Sequence, residues 1–250
     1  RGIPFGYVSP TMRGQDALVL VPYAESDEVH TATVPPAPEG SELRRIEILA
    51  DVDTDGSARL EVTETFAGLQ AIEWRNDLEG IPSAVLEERF EEGYAARVVP
   101  GARLESLRIS GQSNPEEPFV LRYTLAVPRL AREQGGRLVL PGLFPTMLAP
   151  RFAQMGSRTT AQLVGPPLDM EIELKVRVDG RAPEAAWSPV ELEGPGGAAF
   201  TTRATRTDEA LVVRRTIHVP LMRVPPERYG AFARFVRQAD AAEARELPLR

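Results

Sequence analysis

The chain has 250 residues, 36 acidic and 29 basic side chains, a formal net charge of −7 and no cysteine. The lack of cysteine excludes disulfides, cysteine-ligated metal centres and a thiol nucleophile, and the acidic charge argues against binding along a nucleic-acid backbone. Hydrophobic residues make up 42% and charged residues 26% of the chain, which is typical of a globular protein. The most apolar stretch, residues 138–150, is interrupted by prolines and is too short to span a bilayer.

Three regions follow one another along the chain. Residues 1–42 are predicted to form an N-terminal arm that ends in a proline-rich linker at residues 35–40. Residues 43–180 are predicted to form the main β-sandwich module, with one inserted helix. Residues 181–250 are predicted to supply C-terminal strands and a terminal helix that pack on the main module.

Strands are indicated by apolar residues at every second position. The pattern predicts a hairpin around the turn Asp55-Gly56 and further strands over residues 119–127, 170–178 and 211–219, with Arg215 as a polar interruption of the last apolar stripe. Each strand has one apolar and one polar face, which is typical of antiparallel sheets that are solvated on one side. The expected fold is therefore mainly β, an antiparallel β-sandwich that is one large or two small.

Two segments have helical periodicity instead. Between residues 83 and 97, an apolar residue recurs every four positions and glutamates occupy the other side, which predicts a short amphipathic helix. Between residues 226 and 244, aromatic and aliphatic residues repeat at three and four positions after Pro225-Pro226, which predicts a C-terminal helix.

The C-terminal region is basic within an acidic chain. Residues 201–250 contain 10 arginines and 6 acidic residues, a balance of +4, whereas the remainder carries −11. One interpretation is docking of this part on an acidic partner. The preferred interpretation is that Arg214, Arg215, Arg234 and Arg237 lie on solvated faces, with their aliphatic stems covering apolar surface.

Asp51, Asp53 and Asp55, followed by Gly56, resemble the first half of a calcium-binding loop. The bidentate glutamate is missing, because Val62 occupies its position, and the flanking segments are predicted strands. The preferred interpretation is a hairpin tip whose Asp and Gly residues serve the turn. Whether the three aspartates bind calcium is left open. A carboxylate-based or calcium-dependent enzyme around them is kept as a third functional hypothesis, after the two that are given at the end of this section.

The sequence offers little for other chemistry. His30 and His218 are the only histidines, and His218 is expected to face solvent or a neighbouring strand. A general base needs a positioned partner and a nucleophile within reach, and the sequence indicates neither. Phosphate-binding glycine loops and a serine nucleophile elbow are absent from the sequence. Trp74 and Trp187 stand alone, so the aromatic residues are interpreted as core. No catalytic, cofactor-binding or metal-ligating residue is assigned, and no cofactor is expected.

The order of motifs resembles the region after the catalytic core in bacterial transglutaminase-like proteins that carry the domains of unknown function 3857 and 3858. The resemblance covers nearly the whole chain and rests on order and spacing. It is carried by Ile3-Pro4-Phe5-Gly6, the segment 12–20, the Pro-rich joint, the Asp55-Gly56 hairpin ending in Phe66-Ala67-Gly68, a helical stretch over 71–75, Pro100-Gly101-Ala102, the strands 119–128 and 170–178 with the Arg158 region between them, and the close at 224–235.

The resemblance implies an exported bacterial protein of the periplasm or cell envelope, with a Cys-His-Asp triad in an upstream domain. The expected role of this chain is a non-catalytic accessory module that supports or presents a neighbouring domain or a protein partner. The alternative is a stand-alone module that binds envelope glycans or polymers. No nucleic acid and no transmembrane segment is expected, and the sequence leaves the oligomeric state open.

Overall fold

The computed structural model describes residues 2–19, 30–184 and 187–249. The helices are α1 (Gly68–Leu78), α2 (Ser83–Phe90), α3 (Ala96–Val98), α4 (Leu148–Phe152) and α5 (Pro226–Glu243), with a π-helical segment over Glu91–Ala95 and short 3-10 turns at Pro10–Met12 and Pro195–Gly197. The strands are β1 (Asp16–Val19), β2 (His30–Thr33), β3 (Leu43–Val52), β4 (Ala58–Phe66), β5 (Arg103–Ser110), β6 (Phe119–Val127), β7 (Arg132–Glu133), β8 (Leu138–Leu140), β9 (Gln162–Val164), β10 (Leu168–Val178), β11 (Val190–Glu193), β12 (Ala199–Arg206), β13 (Leu211–Val219), β14 (Met222–Val224) and β15 (Leu247–Leu249).

Strands account for 39% and helices for 24%, so the prediction of a mainly β fold is confirmed. The largest sheet in the described residues has the order β11-β12-β13-β10-β3-β4-β6-β5, and β1-β2, β9-β14 and β7-β8-β15 form small sheets. Pairing in the large sheet is antiparallel except between β3 and β10, which run parallel with Ile46 beside Ile172. A parallel neighbour requires a crossover, and here the chain between β3 and β10 contains strands β4, β5 and β6 of the same sheet as well as helices α1 to α4.

The inner face of the large sheet carries the core. Alternate residues of its strands are fully buried, among them Ile46, Leu60, Leu125 and Phe200. Helices α1 and α2 cover one half, where Trp74 stacks on Phe119 with ring centroids 6.0 Å apart. On the other half, residues of β8, α5 and β15 line the same small cavity as residues of β3, β10 and β13. The large sheet and its cover are consistent with the predicted sandwich architecture.

Both predicted helices are confirmed. The segment 83–97 is helical throughout, although its middle is a π-helical stretch, and Phe90 and Tyr94 pack on the core. The insertion is longer than the periodicity indicates, because α1 precedes it. The C-terminal helix α5 begins at Pro226. Proline has no amide hydrogen, but the first residue of a helix makes no intrahelical hydrogen bond through its N–H, so no bond is lost.

The second and third predicted regions contribute strands to one sheet. Strands β3, β4, β5, β6 and β10 lie within residues 43–180, and β11, β12 and β13 lie within residues 181–250. The N-terminal region forms the separate hairpin β1-β2, followed by residues 34–42 without regular structure. Leu20, the last residue of the predicted strand in that region, lies outside the described residues. In the part of the chain that the structure describes, no helix is long and apolar enough to cross a membrane.

Candidate functional site

The Asp55-Gly56 segment is the tip of the β3-β4 hairpin, as the sequence predicts. Ser57 donates its backbone N–H to Asp55 (2.9 Å) and its hydroxyl to both Asp53 (3.1 Å) and Asp55 (2.7 Å). The carboxylate of Asp51 instead accepts two hydrogen bonds from Arg177 of β10, at 2.6 and 2.8 Å. Within residues 2–19, 30–184 and 187–249, no group of three or more histidine or carboxylate side chains could hold a metal ion.

The two histidines lie far apart in the sequence and on different elements. His30 is exposed in β2, beside Val19 of β1. His218 of β13 lies beside Asp169 of β10, and its Nδ1 is hydrogen-bonded to the Asp169 carboxylate. The structure therefore supplies the partner that sequence reasoning missed, because cross-strand pairing brings together residues that are 49 positions apart. A carboxylate in this position orients the ring, but among the described residues the ring has no second hydrogen-bond partner.

A carboxylate, Glu64, lies on the inner face of β4 with an exposed fraction of 0%. It accepts hydrogen bonds from the hydroxyls of Tyr94 and Tyr123, each at 2.6 Å, and from Arg44 at 2.5 and 3.1 Å. Burial raises the pKa of both tyrosines well above the ordinary value, and the charge of Glu64 adds to the effect. Burial by itself lowers the pKa of Arg44, but the charge and hydrogen bond of Glu64, together with the two tyrosines, raise that pKa above its ordinary value. These four side chains are therefore hydrogen-bonded to one another in the interior of the fold.

A second buried pair joins β13 to α5. Arg215 is 8% exposed and Glu243 is 5% exposed, with Arg215 Nε and Glu243 Oε1 at 3.4 Å. Arg215 also donates to the carbonyls of Leu143 and Phe144, and Glu243 accepts the N–H and hydroxyl of Thr146. Burial raises the pKa of Glu243. The expectation that Arg215 lies on a solvated face is therefore wrong, whereas Arg214, Arg234 and Arg237 are exposed.

The aromatic residues belong mostly to the core, as predicted. Trp74 contacts Phe66, Phe90, Tyr94 and Phe119. A tryptophan that is enclosed in this way does not offer its face to a sugar ring. Trp187 is half-buried and lies under the guanidinium of Arg245, 4.5 Å from its ring centroid.

The N-terminal arm carries the most distinctive surface. Of eight large hydrophobic side chains that are exposed in the described residues, five lie between residues 3 and 19. They are Ile3, Phe5, Met12, Leu18 and Val19. The side chain of Phe5 is 99% exposed, which leaves its whole ring in water. Scattered apolar residues are ordinary on a protein surface, but a concentration of them marks an interaction surface.

The arm is attached to the rest of the protein at Phe5 and Tyr7, although its large apolar side chains are exposed. Phe5 N–H donates to Glu116 Oε1 (2.9 Å), and the hydroxyl of Tyr7 donates to Glu42 Oε1 (3.2 Å). Glu42 in turn accepts the N–H of Leu69 at the start of α1, at 2.8 Å. Burial raises the pKa of Glu42. The arm thus begins at a defined place on the body and presents its apolar side chains outward.

The two buried polar clusters had a signal in the sequence. Glu64 follows Leu60 and Val62 and precedes Phe66 in the same period-two stripe, as Arg215 follows Leu211 and Val213. A charged residue at an inward position of a strand indicates a buried partner. Which partner it has depends on contacts across the fold, such as the 59 residues that separate Glu64 from Tyr123.

Comparison with protein-family models, with curated proteins and with solved structures gives no match. The resemblance to the region after the core of transglutaminase-like proteins therefore stays a prediction.

Proposed function

We propose that this chain is a non-catalytic accessory module of an exported, envelope-associated bacterial protein of the transglutaminase-like type, and that its N-terminal arm docks a neighbouring domain or a partner protein. The observation that carries the proposal is the concentration of exposed apolar side chains on the arm, with Phe5 at its extreme. The resemblance assigns this same segment to the exit from a catalytic core, so the exposed residues lie where a neighbouring domain would be.

Docking would withdraw from water the apolar side chains that the arm exposes. A buried aromatic side chain contributes roughly 150–250 Å² of contact area, and each Å² of apolar surface withdrawn from water stabilises by about 25 cal/mol. The hairpin β1-β2 is a two-stranded sheet, a form that is at best marginally stable by itself in water. A partner that covers Phe5, Leu18 and Val19 would stabilise the hairpin as well as bury the exposed surface.

The non-catalytic role is supported by how the reactive side chains are used. Glu64 and Glu243 are enclosed with their partners, Asp53 and Asp55 serve the hairpin turn, and Asp51 is paired with Arg177. The His218–Asp169 pair is solvent-exposed and is not joined to a nucleophile in the described residues. We expect no transamidase or hydrolase turnover by the isolated chain, and robust turnover would contradict the proposal.

The docking role is tested by photo-crosslinking in the native host. A benzophenone amino acid is placed at Phe5, at Leu18 and, as a control, at the exposed Arg203 of β12. We expect a defined crosslinked product, within the same polypeptide or to one protein, from the two arm positions and not from the control. Arm positions that crosslink no more than position 203 would overturn the proposal. The Phe5→Ser variant should unfold at the wild-type temperature, because the ring contacts nothing in the body.

A further inference from the structure

The outer face of the large sheet is polar, concave and rich in ion pairs. Residues of β3, β4, β5, β6 and β10 line a hollow of about 740 Å³ on this face. Four arginines of the face are matched with carboxylates. The pairs are Arg45 with Glu171, Arg59 with Glu61 and Glu105, Arg177 with Asp51, and Arg214 with Glu173. In a chain with 36 acidic and 29 basic residues, such matching is expected for exposed arginines.

Arg108 and Arg122 break this pattern within the hollow. Arg108 of β5 lies directly opposite Arg122 of β6 in the antiparallel register. Both line the hollow, and neither has a hydrogen-bond or ion-pair partner among the described residues. Side chains that are directly opposite on antiparallel strands have Cβ atoms about 4.5–5.5 Å apart, and like charges there are destabilising. Two positive charges are therefore held together with no negative group of the described residues paired with either of them.

Hydroxyl groups surround the arginine pair. Thr63 of β4 is the cross-strand neighbour of Arg122 on its other side. Ser106 and Thr124 are paired with each other two residues along the same strands, and both line the hollow. Thr124 is buried although it belongs to the polar face, so it lies at the floor of the concavity. Guanidinium and hydroxyl donors that converge in a hollow match the oxygens of an anion.

The acidic residues of the hollow lie away from the pair or are already neutralised. Glu61 is bound by Arg59, and Glu173 is bound by Lys175 and Arg214. Glu47 of β3 is two strands from Arg122, which corresponds to about 10 Å at the usual strand spacing. That figure is the spacing of the backbones, and among the described residues Glu47 forms no ion pair with Arg108 or Arg122.

We propose that Arg108 and Arg122 form a binding site for an oxyanion, a carboxylate, sulfate or phosphate group of a small solute, with Thr63 as an additional donor. The planar fork of each guanidinium offers paired N–H donors that match two oxygens of such a group. An anion between the two arginines would also remove their mutual repulsion. This site is separate from the N-terminal arm and does not depend on its docking role.

The test is a titration of the isolated chain with inorganic phosphate at constant ionic strength, followed by NMR shifts of the arginine Nε–H groups. We expect saturable shifts at Arg108 and Arg122. Arg108→Gln and Arg122→Gln should each weaken phosphate binding by about tenfold or more, since a charge-assisted hydrogen bond is lost. Arg203→Gln on the same face is the matched control and should bind as the wild type does. Parallel titrations with sulfate and with acetate distinguish a tetrahedral anion from a carboxylate.

A loss of binding in the arginine variants is meaningful only if they fold. We expect Arg122→Gln to unfold at or above the wild-type temperature without added anion, because the substitution removes a like-charge contact. Shifts that do not saturate, or equal affinity in the wild type and the double variant, would overturn the site. Photo-crosslinking from Phe5 should be the same in Arg122→Gln, so failure of the anion site and failure of the docking role are distinguishable.

Discussion

Replacement of Glu64 by leucine tests the buried network most directly. The substitution keeps a side chain of similar size on the inner face of β4 and removes the acceptor of the hydrogen bonds from Tyr94, Tyr123 and two nitrogens of Arg44. The two tyrosine hydroxyls would then be left without this acceptor, and the guanidinium of Arg44 would lose its counter-charge.

The expected loss follows from these three groups. A buried polar group that loses its partner costs about 1–3 kcal/mol, so the two hydroxyls together cost about 2–6 kcal/mol. The side chain of Arg44 is 20% exposed and can recover some hydration, so it adds less than a fully enclosed charge would. The substitution also removes the desolvation penalty of the buried Glu64 carboxylate, which offsets part of these losses. We therefore expect Glu64→Leu to lower the free energy of unfolding by about 3–5 kcal/mol.

Denaturation by urea measures this change through the transition midpoint and slope. The control is Glu61→Leu on the outer face of the same strand, which removes an exposed pair with Arg59 and should cost less than about 1 kcal/mol. Adding Tyr94→Phe and Tyr123→Phe to Glu64→Leu should restore much of the stability, because the stranded hydroxyls are gone. A loss below about 1 kcal/mol for Glu64→Leu, or no recovery in the triple variant, would refute the reasoning.

Three further predictions concern the second buried pair and the hairpin tip. Arg215→Met should cost about 3–5 kcal/mol by leaving Glu243 without its counter-charge, and urea denaturation should show most of that loss restored when Glu243→Leu is added; equal stability of the single and double variants would contradict it. Because the fold raises the pKa of Glu243, its contribution is fully present below its ordinary pKa of 4.5 and is lost as pH rises through the raised value. Between pH ~4 and 8, the unfolding free energy of the wild type should therefore fall relative to that of Glu243→Gln, and a constant difference would exclude this. Gly56→Ala should lower the free energy of unfolding by about 1–3 kcal/mol, because φ is +86° there and the new Cβ would lie 2.2 Å from the carbonyl oxygen of Ala131. The control is Gly93→Ala, which has open space around it and should not lower the stability. Thermal melts in which Gly93→Ala is the less stable variant would refute the prediction.

Much of the fold can be predicted from local patterns. The hairpin around Asp55-Gly56, the strands near 119–127, 170–178 and 211–219, and both amphipathic helices are where the periodicity places them. These elements are predictable because one face of each is buried, and burial imposes a period of two on strands and of 3.6 on helices. Helix α1 was missed by periodicity, and the apolar residues of this helix that are buried, Ala71 and Ile72, are adjacent and form no long stripe.

The candidate binding surfaces could be predicted less well from the sequence. The arm was predicted as a region, but the exposure of Phe5 and Leu18 depends on what the rest of the chain covers. The pairing of Arg108 with Arg122 depends on the register of β5 and β6, which includes an irregularity between Leu104 and Ser106. A shift of one residue moves a side chain to the other face of a sheet, so the register decides which charges meet.

The sequence by itself determined a cysteine-free, mainly β chain with an N-terminal arm. It contains two charged residues within apolar stripes, Arg215, which the alternation marks, and Glu64, which was not singled out from the sequence. Only the tertiary structure decided what those charges contact. Arg45 and Glu171 of the outer face are 126 positions apart, and they meet because β3 and β10 run side by side. The alternation of apolar and polar residues follows from the geometry of each strand and can be read locally. The cross-strand partner of a side chain depends on strand order and register, which a local sequence pattern does not contain.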